Sequence, residues 1–422
     1  MRALLVVTLV VCSALHAQEA DSDRLLAAAA RMKTDDRIAA YQKLATAKPD
    51  DPHYQNLLAG AYIQKMRETT DFGYIERAEK LVAHTLAAES SNYEALRLRS
   101  EIGLERHHFA EVAGYSREMI RIAPDDAWNW GTLGDALMEL GQYDDAADAY
   151  QKMMSLRPNQ ASYNRASYYR WVMGDAEGAI RIMRQAIEAG SPAAENTAWC
   201  LVDLGNLYFK TGRLEQASET FAEALHTFPG YHPAYAGLGR VLAAEGKVNA
   251  AIESFQRAQA IVPMPEYAAA LVELFERAGK KDEARQQLTL LDVVDRMVTA
   301  NNEKTNRNLA LVFADQGRKL DRALELAQAE FDVRGDVYTY DALAWVLSKN
   351  GRYAEAEQAA RKALRFDTPE PAFYFHAGMI ASALGKKDEA VKNLTRALEL
   401  NPHFDPRQAE IAAAALSADR NP

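Results

Sequence analysis

Between Ala127 and Gln160 the apolar and small residues fall at Trp130, Leu133, Gly134 and Leu137, and again at Ala146, Tyr150 and Met153. Steps of three and four put each set on one face of a helix, so the segment predicts two amphipathic helices. Gly141 stands between them, where a first helix stops and the chain reverses. Pro158 ends the second. Gly134 and Ala146 are small for a shared reason: two antiparallel helices approach closely where neither carries bulk.

The pattern recurs along the chain. Gly141, Gly174, Gly212, Gly246, Gly279, Gly317, Gly351 and Gly385 follow one another at intervals of 33 to 38 residues. Five or six residues after each comes an alanine: Ala146, Ala179, Ala217, Ala251, Ala284, Ala323, Ala356 and Ala390. Pro124, Pro158 and Pro192 are 34 apart, as are Pro229 and Pro263. A fixed period of this length means supersecondary units stacked in a line. The 422 residues also exceed what one compact core supports, roughly 250–300.

Leu204-Gly205…Tyr208…Gly212…Ala217…Phe221…Ala224…Pro229 repeats the theme, as do Tyr235…Leu238-Gly239…Gly246…Ala251…Phe255…Pro263 and Tyr374…Gly378…Gly385…Ala390…Leu394…Pro402. These residues resemble the tetratricopeptide repeat over almost the whole chain after its first residues. The resemblance implies an all-α, right-handed superhelix of stacked antiparallel helix pairs, about ten or eleven of them, with first helices lining the inner face. Asp336–Trp345, Tyr374–Met379 and Asn401–Asp405 further resemble a subfamily of bacterial exported repeat proteins. Some copies are degenerate: Ser167 and Ala344 replace the first-helix glycine, and Val112 stands where alanine is expected.

The units are uneven. Residues 18–51 read as a short degenerate helix pair, 52–299 as a first block of repeats and 300–404 as a second. Residues 405–418 read as a capping helix, which repeat arrays require for solubility, and 419–422 as a tail. Arg67–Tyr74 lengthens the turn of the unit that begins near Pro52, and an insertion around Met297–Asn306 predicts a bend or seam.

At the start, Met1-Arg2 precedes the apolar run Ala3–Leu15 and the small residue Ala17. Such a run is shorter than the ~20 residues that span a bilayer. Its order of charge, apolar stretch and small residue predicts a signal peptide over residues 1–17, cleaved after Ala17, and export to the periplasm or beyond. Only Cys200 remains after cleavage, so no internal disulfide forms.

Composition narrows the work such an array performs. Hydrophobic residues are 48% and charged ones 26% of the chain, a globular balance. A net charge of −10 disfavours a phosphate backbone, so nucleic acid is not an expected partner. Nucleophile-elbow, phosphate-loop, dinucleotide and zinc-protease motifs are absent. His107-His108 falls in a turn, and zinc needs three or four converging ligands; neither metal nor cofactor is expected. Cys200 reads as packing, and Asp125-Asp126 and Asp144-Asp145 as charges that favour helix starts.

Binding is the stronger expectation. In the family register the inward positions are the second, fifth, ninth, twelfth and thirteenth of each unit. They hold Trp128, Asp135 and Met138; Asn164, Tyr168 and Trp171; Trp199, Asn206 and Phe209; Tyr338, Asp341 and Trp345; and Phe375 and Met379. Four of the five tryptophans lie in this register, and exposed aromatics beside Asn and Asp suit a bound peptide. Chaperone-binding members grip a carboxylate with Lys, Asn and Arg. Here Val202 with Asn206, and Gly131 with Asp135, occupy those places, so that clamp is missing. The leading expectation is a non-catalytic exported scaffold holding a protein or peptide along a curved trough. The same platforms suit glycan in an envelope polysaccharide role. A catalytic alternative rests on Asp341 and His376 on adjacent first helices, but no third group completes a set.

Overall fold

The computed structural model describes residues 24–29, 32–69, 71–192, 195–300 and 305–420; the expected signal peptide lies outside them. Among the described residues every regular element is helical. Two compact units divide at Pro124 and Asp125. No helix among the described residues is long and apolar enough to cross a membrane.

The first unit holds α1 (Thr34–Ala47), α2 (Pro52–Thr69), α3 (Gly73–Ala88), α4 (Tyr93–Glu105) and α5 (Phe109–Ile122). Its core joins Ile38, Tyr41, Leu58, Tyr62, Ile63, Ile75 and Val82. The stretch expected to form a longer turn is largely absorbed as extra helix, with α2 running on to Thr69. Asp71 then starts α3 by accepting the Gly73 N–H at 2.9 Å.

The second unit continues with α6 (Ala127–Glu139), α7 (Tyr143–Leu156), α8 (Gln160–Val172), α9 (Ala176–Glu188), α10 (Glu195–Lys210), α11 (Leu214–Thr227), α12 (His232–Ala244) and α13 (Val248–Ile261). It is completed by α14 (Pro265–Arg277), α15 (Lys281–Ala300), α16 (Arg307–Gln316), α17 (Leu320–Val333), α18 (Val337–Lys349), α19 (Tyr353–Ala363), α20 (Pro371–Ala383), α21 (Lys387–Leu400) and α22 (Pro406–Arg420). Each first helix packs on the second helix of its own pair. A Cβ on Gly134 would lie 2.3 Å from the Tyr150 ring, so the small residue makes room for a large one on the facing helix. Where Ser167 replaces that glycine, its hydroxyl donates to the Ala179 carbonyl at 2.8 Å. Val298, Leu309 and Phe313 share one core across the expected seam, and Ala412 and Leu416 of α22 close the same core at its end.

The second unit turns back on itself. Its turns after α6, α8 and α10 meet the linkers ahead of α18, ahead of α20 and after α21. The Gly335 N–H donates to the Glu139 carbonyl at 2.8 Å, the Thr368 hydroxyl to the Val172 carbonyl at 2.6 Å, and the buried Asn401 amide to the Phe209 carbonyl at 2.7 Å. Ion pairs follow the same line: Arg334–Glu139 at 3.1 Å and Lys210–Glu370 at 2.6 Å. A pair thus docks against chain six pairs further on. The sequence predicts an open trough along the array; in this unit the returning chain closes much of it, because linkers six pairs apart come within hydrogen-bond distance.

Candidate functional site

What remains of the trough is a cavity of about 550 Å³ inside the returning turn. First helices and the cap line it: α10, α12, α14, α16, α18, α20 and α22 all contribute. Trp345 and Phe375 lie 5.6 Å apart between ring centres, and Phe375 and Phe404 5.9 Å, making one aromatic wall. Asn206, Phe209, Trp345, Phe375 and Met379, expected from sequence, all reach the cavity.

Of the other expected residues, Asp135, Asn164, Trp171 and Tyr338 face neighbouring helices. Asp135 accepts from the Arg165 Nε and Nη2, at 2.8 and 2.6 Å, and from the Tyr150 hydroxyl at 2.9 Å, tying α6 to α7 and α8. Trp171 is 2% exposed and donates its indole N–H to Tyr338 at 2.9 Å. The Asn164 amide faces Met183 and Cys200 sulfurs, and Trp128 is half-buried. Trp199 and Tyr168 stay 43% and 37% exposed. Neither lines the cavity.

Asp341 and His376 do meet. The His376 Nδ1 lies 3.0 Å from both Asp341 oxygens, and its ring stacks on Trp345 at 4.3 Å. Burial pushes the imidazole pKa down, but the Asp341 carboxylate outweighs it and holds the group above its ordinary value. Both residues are buried, and the His376 Nε2 is buried with no hydrogen-bond partner. Trp345, not this pair, faces the cavity.

Sequence reading by aromatics overlooks the charged lining. Counted back from Gly246, Gly279 and Gly317, the same inward register falls on Arg240, Glu266, Glu273 and Asp315, all in the cavity wall. Burial raises the Glu273 carboxyl to about 7, with Asp405 repelling it further, and burial also raises Glu266 and Asp315. Among the described residues no set of three His, Cys, Asp or Glu side chains converges to hold a metal ion.

Tetratricopeptide repeat models match residues 127–160, 157–228, 202–264, 337–366 and 371–404. The chain is a tetratricopeptide repeat protein. It is similar to the human protein O-mannosyl-transferase TMTC3, 25% identical over 212 residues, covering 49% of this chain and 20% of that protein. The repeat protein therefore spans about a fifth of that relative's length. Among solved structures it is similar to PilW, a type IV pilus biogenesis factor, at 14% identity over 48% of this chain and 92% of that one, TM-score 0.42. Yeast Tom70 aligns at 14% identity over 96% and 97% of the two chains, TM-score 0.36. YrrB, a repeat protein with an unusual peptide-binding site, aligns at 16% identity over 45% and 95%, TM-score 0.31.

Proposed function

We propose that this is a non-catalytic scaffold of bacterial origin, exported by its first 17 residues, that holds a short peptide or protein segment in the cavity of its second unit. The observation that carries the reading is the cavity itself: about 550 Å³, a size typical of ligand sites, with an aromatic wall and polar groups on first helices. Catalysis is disfavoured because the Asp341–His376 pair is sealed behind Trp345. A general base must reach the proton it removes, and the outer ring nitrogen is buried.

Ala269 lies on the cavity wall, so Ala269→Trp fills the space. Decapeptides of basic, acidic and neutral composition, arrayed against the full chain, should include binders that the variant loses. Binding indifferent to Ala269→Trp, or no binding at all, removes the cavity from the account. Export is tested separately by mass spectrometry of protein from its native host; an N-terminus other than Gln18 contradicts the cleavage site.

A further inference from the structure

The cavity wall is short of positive charge. Glu266 and Glu273 stand seven residues apart on α14, two helical turns and about 10 Å, and Tyr267, Ala269, Ala270 and Val272 line the wall between them without adding a charge. One Glu266 oxygen accepts from the Asn308 amide; the other is buried and has no hydrogen-bond partner. Glu273 has Arg277 at 3.1 Å, but Arg277 also serves Glu410 at 2.9 Å. Asp315 accepts from the Trp345 indole at 2.8 Å and the Gln408 amide at 3.0 Å, and Asp405 accepts the backbone N–H groups of Arg407 and Gln408. Glu276 adds a fifth carboxylate to the lining.

Three cations share that lining, and two are already occupied. Arg240 donates to Asn206 at 2.6 Å and lies over the Phe209 ring at 5.5 Å. Lys349 sits over the Trp345 ring at 4.3 Å. Arg407 lies exposed. A buried carboxylate oxygen without a donor has lost its water and gained nothing in exchange, and burial holds Glu266, Glu273, Asp315 and Asp405 above the ordinary carboxylate range. An incoming cation relieves both.

We propose that the cavity takes a peptide segment carrying Lys or Arg between apolar residues, the cation set among Glu266, Glu273, Asp315 and Asp405 and its neighbours resting on Trp345 and Phe375. The long apolar stem of either side chain suits such a mixed wall. This rests on the reading of the cavity as a peptide site.

The test is isothermal titration of the full chain with three blocked hexapeptides, Ala-Leu-Xaa-Leu-Xaa-Ala, where Xaa is Lys, Gln or Glu. At about 0.15 M salt, where surface attraction is screened, the Lys peptide should bind at least tenfold tighter than the Gln peptide, and the Glu peptide weakest. Glu266→Gln and Glu273→Gln, which keep shape, should each weaken the Lys peptide roughly tenfold, consistent with a charged hydrogen bond. Glu215→Gln, on the exposed face of α11, should leave it unchanged. Equal loss from Glu215→Gln, or a Gln or Glu peptide binding as tightly as the Lys one, overturns the proposal. If those other peptides bind and Ala269→Trp abolishes it, the peptide site stands and only its charge preference falls. If no peptide responds to Ala269→Trp, both fall.

Discussion

Trp171 on α8 gives its indole N–H to the Tyr338 hydroxyl on α18 at 2.9 Å, across 167 residues of sequence. Lys210 lies 5.5 and 5.6 Å over the same two rings and pairs with Glu370, so α8, α10, α18 and the linker ahead of α20 meet there. Tyr338→Phe removes one acceptor and should cost about 1 kcal/mol. Trp171→Ala also empties a buried site and should cost about 3–5 kcal/mol. Denaturant melts give the magnitudes. Hydrogen exchange gives the cause: protection should fall in α18 to α21 as well as in α8 and α9. Loss confined to α8 and α9 would mean the docking does not depend on this contact.

Two glycines with the same backbone conformation separate docking from turn strain. Gly141 has φ +71° and Gly351 +74°, a region that costs other residues roughly 1–2 kcal/mol. A Cβ on Gly141 would stand 2.2 Å from the Gly335 carbonyl oxygen, whereas one on Gly351 meets nothing within 4 Å. Gly351→Ala should therefore show the strain alone. Gly141→Ala must also push the returning linker away, and we expect it to cost at least about 1–2 kcal/mol more. Equal melting shifts for the two variants would show that the contact adds no stability.

The buried carboxylates set a pH dependence with a definite sign. Burial raises Glu139, Asp203 and Glu273 to about 7 each, from ordinary values of 4.5, 3.8 and 4.5. Between those limits the folded state holds more protons than the unfolded one, so stability falls as pH rises. His376, held above its ordinary 6.5, adds a loss of the same sign at higher pH. Each carboxylate contributes on the order of 1 kcal/mol per pH unit at most. The second unit should melt higher at about pH 5.5 than at about pH 7.5. Glu139→Gln and Asp203→Asn should each narrow the gap; a gap unchanged in both would place its origin elsewhere.

The helix pairs were legible because their signals are local. Gly134 against Tyr150, Gly141 in its turn and Pro158 after α7 each act within a few residues or across one contact. The return of the chain was not legible. It accumulates from a small rotation at every pair, and no single residue encodes it; Gly335, Thr368 and Asn401 read as ordinary linker residues until the turn brings Glu139, Val172 and Phe209 to them. The inward register picks out Phe209, Trp345 and Phe375, which lie on the cavity wall. It could not tell them from Trp171, because whether an inward aromatic faces space or another helix depends on the same accumulated rotation. Glu266, Glu273 and Asp315 stood in that register too, but charge on a first helix looks like a solvated face until the turn closes over it.

The Asp341–His376 pair offers a last discrimination, between a polar tie and a reactive group. Both side chains are buried, so removing one leaves the other without its counterpart. Asp341→Leu or His376→Phe alone should cost about 3–5 kcal/mol, the usual result of breaking a buried pair. A structural tie of this kind is replaceable: apolar residues of similar volume often restore what the pair supplied. The double variant Asp341→Leu/His376→Phe keeps a ring against Trp345, and it should recover most of the loss in a chemical melt while leaving cavity binding intact. A double variant as unstable as either single one would place the stability in the bond itself, and one as unstable as the sum of its parts would show that the two side chains are not coupled at all.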